Sequence, residues 1–87
     1  MEQTTLTQKD YRWAIIIALH HGMDTIEHLF SIYPPKMKKD MEKNFYELCS
    51  MRVIYEDLRD GRLKLNTDEK AKRVMAQYLS KEELERI

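Results

Sequence analysis

The sequence predicts a mainly helical domain carrying one β-hairpin, in the order helix, helix, helix, hairpin, helix, with a short C-terminal helix. Three observations predict it. Apolar residues recur at helical spacing from Leu6 to Ser50, Asp60-Gly61 separates two short strand-like runs, and Thr67-Asp68-Glu69 opens a further helical run directly after the second of these.

At 87 residues and 43% hydrophobic content the chain is one domain, spanning 1–87 with its core over about 6–79 and a short helix or tail over 80–87. Chains of this size bury only about 60 to 65% of their unfolded surface, so a partner subunit would add to stability. Cys49 alone cannot form an intramolecular disulfide, and His20, His21 and His28 offer no spaced ligand set for zinc. No metal or cofactor is expected. The longest apolar run, Trp13 to Leu19, is seven residues, against roughly 20 for a membrane span. No basic segment precedes it as in a signal peptide, so a soluble, cytoplasmic protein without a membrane partner is expected. Fifteen basic and fifteen acidic residues cancel, but residues 34–73 hold eleven Lys or Arg against eight Asp or Glu. That excess falls on the third helix, the hairpin and the start of the fourth helix.

The first helix is expected over Leu6 to His21, capped by Thr5 or Thr7 and ended by Gly22 in the left-handed conformation. Tyr11, Ala14, Ile15, Ala18 and Leu19 make one buried face, and Trp13, Ile16 and Ile17 make the other side apolar too. A helix apolar nearly all round is either central to the domain or part of a subunit interface. The second helix is expected to start at Asp24, whose carboxylate and that of Glu27 form a capping box, with Ile26, Leu29, Phe30 and Tyr33 inward. Pro34-Pro35 ends it, and Pro35 suits the first position of the next helix.

That third helix is expected over Lys36 to Ser50, with Met37, Met41, Phe45, Leu48 and Cys49 on its inner face. Lys36, Lys39, Lys43, Tyr46 and Ser50 line the opposite face, with Asp40 and Glu47 at its margin. Pairs such as Lys36 with Asp40 and Lys43 with Glu47 would make this an ordinary solvated face; the alternative is a surface presented to phosphates and bases. Cys49 reads as a core thiol.

Asp60-Gly61 is expected to form a two-residue type I′ turn. Leu58 would then face Leu63, Asp57 Lys64 and Glu56 Leu65, with Ile54, Leu58, Leu63 and Leu65 on the core side and Arg59 and Arg62 flanking the tip. A three-residue loop with a bulge would shift that register by one. Thr67 is expected to cap the fourth helix, whose stripe is Ala71, Val74, Met75, Tyr78 and Leu79. Ser80 to Glu83 reads as a capping box for a last turn or two carrying Leu84 and Ile87.

Three stretches carry a resemblance: Asp24-Thr-Ile-Glu-His-Leu-Phe; Pro35 to Asp57, with Leu48 running into Val53-Ile54; and Gly61-Arg-Leu-Lys-Leu-Asn-Thr-Asp-Glu-Lys-Ala. In pattern these resemble the winged helix-turn-helix family of small DNA-binding domains, over roughly residues 6–79. The resemblance implies that the third helix enters the major groove with its N-terminal residues nearest the bases. It places Lys36, Lys38, Lys39, Lys43, Asn44 and Tyr46 at double-stranded DNA, with Arg59, Arg62 and Lys64 of the wing over the backbone or adjoining minor groove. A transcriptional regulator or a plasmid or phage accessory factor is the implied function. Asp40, Glu42, Glu47, Asp57 and Asp60 lie among those cations, so binding by one monomer should be weak and steeply salt-dependent. A homodimer through Trp13, Ile16, Ile17 and the C-terminal end would double the contacts. The alternative is a winged-helix module that binds another protein and not DNA, which the zero net charge favours. An enzyme is not expected: there is no glycine-rich phosphate loop and no nucleophile with a base at readable spacing.

Overall fold

In the computed structural model, which describes residues 7–87, the first helix, α1 (Gln8–His20), begins where the sequence offers a reciprocal cap. The Thr7 hydroxyl accepts from the Asp10 N–H at 3.3 Å while the Asp10 carboxylate accepts from the Thr7 N–H at 2.8 Å. Thr5 and Leu6 lie outside the described residues. The helix ends as expected at Gly22, whose φ of +96° lets its N–H reach Leu19 O and the Met23 N–H reach Ala18 O. Ile15 and Ile16 are fully buried, Ala18 and Leu19 nearly so, and α1 packs on three other elements. It is the central helix of a single chain. The expected subunit interface is corrected on this point, because Ile16 is already enclosed by its own chain; Ile17 is half-buried, and only Trp13 stays substantially exposed, at 42%.

The second helix, α2 (Ile26–Ser31), is capped by Thr25, not Asp24: the Thr25 hydroxyl accepts from His28 N–H at 3.1 Å. Asp24 is committed elsewhere. Its carbonyl accepts from Leu63 N–H at 2.6 Å and its carboxylate binds Arg62 at 3.1 Å, tying this loop to the hairpin. Leu29 is fully buried, and the Phe30 ring meets the buried Phe45 ring edge-on at 5.6 Å. Ile26, expected inside, is exposed.

Pro35 does not open the third helix directly. A 3₁₀ turn, Pro35–Met37, precedes α3 (Lys38–Ser50), because Pro34 adopts extended backbone and the Met37 N–H closes onto its carbonyl at 2.9 Å. Met41, Phe45 and Leu48 fill the core as their spacing predicts. The helix ends in the same hydrogen-bond pattern as α1, Val53 N–H to Leu48 O and Arg52 N–H to Cys49 O, but with Arg52 at φ +61° in the position where α1 has glycine. Leu48 and Val53, joined by the first of these bonds, are both fully buried, which anchors the turn that contains this left-handed residue.

The hairpin pairs β1 (Ile54–Asp57) with β2 (Arg62–Leu65) antiparallel, Ile54 opposite Leu65 and Asp57 opposite Arg62. The expected two-residue type I′ turn is therefore a four-residue loop over 58–61. A type I′ turn needs positive φ at both central residues, and only Gly61 has it, at +69°. Two aspartates build the loop instead: Asp57 Oδ1 accepts from Arg59 N–H and Asp60 Oδ1 from Arg62 N–H, each at 3.0 Å, so each side chain closes a local turn two residues on. The register slips by two residues relative to expectation. Side chains alternate with period two, so Ile54, Leu63 and Leu65 keep a common face while Leu58 leaves it for the loop and becomes 89% exposed.

The fourth helix, α4 (Glu69–Met75), is capped by Asp68, not Thr67; the Asp68 carboxylate accepts from Ala71 N–H at 2.8 Å. It stops at Met75, and Leu79 reaches the core from a turn whose N–H bonds to Met75 O at 2.9 Å. Helix α5 (Lys81–Arg86) carries the expected box, Ser80 with Glu83. The described residues thus form five α-helices and one antiparallel hairpin, a mainly helical arrangement compatible with a winged helix. No helix described is long and apolar enough to cross a membrane.

One cation lies inside. Arg12 of α1 is 8% exposed and spends its guanidinium on three partners: Nε donates to Asn44 Oδ1 at 3.1 Å, Nη1 to the Tyr78 hydroxyl at 2.6 Å, and Nη2 pairs with Glu47. Gln8 adds a bond to the same Glu47 carboxylate at 3.1 Å. A buried charge is tolerated only when paired and fully hydrogen-bonded, and no buried side-chain polar atom among the described residues lacks a partner. Arg12→Ala should destabilise the fold by about 2 to 4 kcal/mol, since it orphans Asn44 and unpairs Glu47. Arg12→Lys should recover only part, because an ammonium lacks the planar fork that reaches three partners. Urea unfolding monitored by circular dichroism measures both.

Candidate nucleic-acid interface

The amphipathic pattern of α3 determines which of its cations can meet a ligand. With Met41, Phe45 and Leu48 turned to the core, Lys39, Lys43, Tyr46 and Ser50 are exposed on the far side, and Lys36 is exposed on the preceding 3₁₀ turn. Tyr46 is 59% exposed, its ring edge-on to Phe45 at 5.4 Å. The pairs expected to neutralise this face do not form. Glu47 is drawn to Arg12, and among the described residues Lys36, Lys39 and Lys43 have no carboxylate within salt-bridge distance. Lys38 is the exception, set 3.9 Å from Glu42 on the flank.

Asn44 departs from expectation. It is 5% exposed, its amide NH₂ donates to Asp40 O at 2.9 Å and its carbonyl oxygen accepts from Arg12, so it is an interior residue with both ends of its amide engaged. At 100° per residue it sits between the inner face and the margin, and the Arg12 guanidinium decides the matter.

The wing also differs. Arg59 makes two bonds to the Asp57 carboxylate, at 3.2 and 3.1 Å, and Lys64 reaches Asp57 at 2.9 Å and Asp60 at 3.2 Å. With Arg62 held by Asp24, each of the three wing cations has an acidic partner. Arg59 and Arg62 are not opposite one another, so the like-charge pair implied by the expected register is absent. Bonds from Arg59, then Lys64, hold the Asp57 carboxyl far below the usual carboxylate range, and the same contacts raise Arg59 and Lys64. The backbone N–H of Arg62, followed by Lys64, lowers Asp60. The Arg59 side chain is 90% exposed and so remains in solvent despite its partner.

Between α2 and α3 runs a groove of about 650 Å³, lined by Ile26, Phe30, Tyr33 and Tyr46 with Glu27 and Glu42 among them. Burial raises the Cys49 thiol pKa, in keeping with a core role. Among the described residues no three His, Cys, Asp or Glu side chains converge as a metal site. Compared with protein families, characterised proteins and solved structures, the chain matches none.

Arg12 is the residue that pattern reading passed over. Its signal was its place in the stripe, three, four and seven residues before Ile15, Ile16 and Leu19, which puts it on the buried face.

The Asp57 contacts imply an acid dependence. Its folded pKa lies below its unfolded value, so the unfolded chain takes up more protons as pH falls, and the stabilisation present above about pH 4 is lost below it. Thermal melts at pH 7 and pH 3 should show a smaller acid-induced fall in Tm for Asp57→Asn than for the unmodified chain.

Proposed function

We propose that this chain is a winged-helix DNA-binding protein that lays the outward face of α3 in the major groove, acting as a transcriptional regulator or a plasmid or phage accessory factor. The observation that carries the reading is Lys36, Lys39 and Lys43, exposed beside Tyr46 with no acidic partner among the described residues. Lysines there suit phosphate oxygens or guanine O6 and N7. The wing is the lesser contributor, because binding a phosphate through Arg62 or Lys64 means giving up Asp24, Asp57 or Asp60. Few phosphates per monomer follow, and a dimer would double them; Trp13 and the half-buried Tyr78, Leu84 and Ile87 are the apolar groups left for that contact. A second reading, a module that binds a protein through the α2–α3 groove, is favoured by the exposure of Ile26 and Tyr46 there.

Fluorescence anisotropy with random-sequence duplex at about 50 and 200 mM salt tests the reading, since phosphate contacts make affinity fall steeply with salt. Lys39→Ala with Lys43→Ala should weaken binding and reduce the salt slope by about 2, whereas Arg59→Ala should change it less. Absence of binding at about 50 mM salt with tens of micromolar protein would exclude the DNA reading and leave the groove.

A further inference from the structure

On the side of α1 turned away from the helix's buried stripe, a small cavity of about 200 Å³ lies between α1, the 3₁₀ turn and α3. Its walls are Tyr11, Trp13, Tyr33, Met37 and Met41, and it is bordered by Asp10, an exposed residue whose carboxylate is bound to Thr7 at the helix cap. Three of the chain's eight Phe, Tyr and Trp residues thus line one cavity.

Two of these groups are held in place by contacts outside the cavity. The Trp13 indole N–H donates to Glu83 of α5 at 2.9 Å, and Asp10 Oδ2 accepts both the backbone N–H and the hydroxyl of Thr7, at 2.8 and 3.0 Å. The bonds to Thr7 lower the pKa of Asp10, so the carboxylate is anionic at neutral pH, and its Oδ1 has no hydrogen-bond partner among the described residues. Tyr11 and Tyr33 are half-buried, and Met41 closes the floor, fully buried. Such a volume falls below the roughly 300 to 1,000 Å³ of pockets that enclose whole drug-sized ligands. It suits one compact head group.

Aromatic walls attract a cation through their quadrupoles, and a cation sheathed in methyl groups costs least to desolvate among them. Neither an anion nor a small polar group gains anything from this lining, while an uncharged apolar group of the same shape forgoes the attraction of the aromatic rings for a cation. We infer that this cavity binds a methylated ammonium group, carried either by a free small molecule such as choline or by a trimethylated lysine side chain of a partner. The outward lysine face of α3 plays no part in it, since α3 contributes only the inward Met41, so binding by a single chain here is read separately from DNA binding.

Trp13 is the only tryptophan, so its fluorescence reports on the site directly. Choline titrated into the unmodified chain should give a saturable change, at least about fivefold tighter than its neutral isostere with carbon in place of nitrogen. Asp10→Asn, which can still close the cap, should narrow that preference, and Tyr33→Leu should weaken choline binding with circular dichroism unchanged. A trimethyl-lysine peptide binding tighter than choline would assign the ligand to a protein partner; the reverse order would assign it to a small molecule. Equal binding of choline and isostere would reduce the cavity to an apolar dent, and no saturable change with either would remove the site.

Discussion

The buried guanidinium of Arg12 is the constraint on which the arrangement of helices depends. It joins α1 to Asn44 and Glu47 of α3 and to Tyr78 in the turn after α4, with its charge also 5.4 Å from the Tyr78 ring centre. Asn44 and Glu47 are three residues apart, hence on one side of α3, so Arg12 holds both only at one rotation of that helix about its axis. A turn of one residue, 100°, would break both bonds and move the core methionine and phenylalanine out of place. Hydrophobic packing decides that α3 lies on α1. Arg12 bonds to the same side of α3 and so reinforces the rotation that the apolar stripe sets.

That bonding has an electrostatic consequence. By taking Glu47 inward, Arg12 withdraws the carboxylate best placed to neutralise Lys43, and the outward face of α3 is left basic in a chain with zero net charge. The hairpin is organised in the opposite sense. Its cations are matched within the molecule by Asp24, Asp57 and Asp60, and two of those aspartates also shape the loop backbone. The acidic residues that shape the tip also pair its cations, so the lysines of α3 lack acidic partners among the described residues while the cations of the hairpin have them.

Much of the fold was legible because local chemistry and periodicity agreed. Thr7, Gly22 and Ser80 mark helix ends through their own side chains or backbone freedom, and the Met41, Phe45, Leu48 stripe needs nothing beyond helical geometry. Where tertiary contacts compete with a local rule, reading by pattern misses. Asp24 was a good cap by sequence but serves Arg62 and Leu63 N–H, so the cap passes to Thr25. Asp60-Gly61 was a good two-residue turn, yet the carboxylates of Asp57 and Asp60 bind nearby backbone and lengthen the loop. The exposed lysines of the candidate site were readable from helix phase. The burial of Asn44 and the pairing of Arg62 with Asp24 were not, since both depend on partners distant in sequence, whereas the Arg59 and Lys64 pairs with Asp57 and Asp60 are local to the hairpin and follow from its loop and register.

The surface claim is open to direct mapping. Amide chemical-shift perturbations recorded while a short duplex is titrated into isotopically labelled protein should cluster on residues 36–50, at the positions around Lys39, Lys43 and Tyr46, and be weak over residues 58–62. Perturbations centred on the hairpin tip with α3 unaffected would contradict the assignment of the contact to α3.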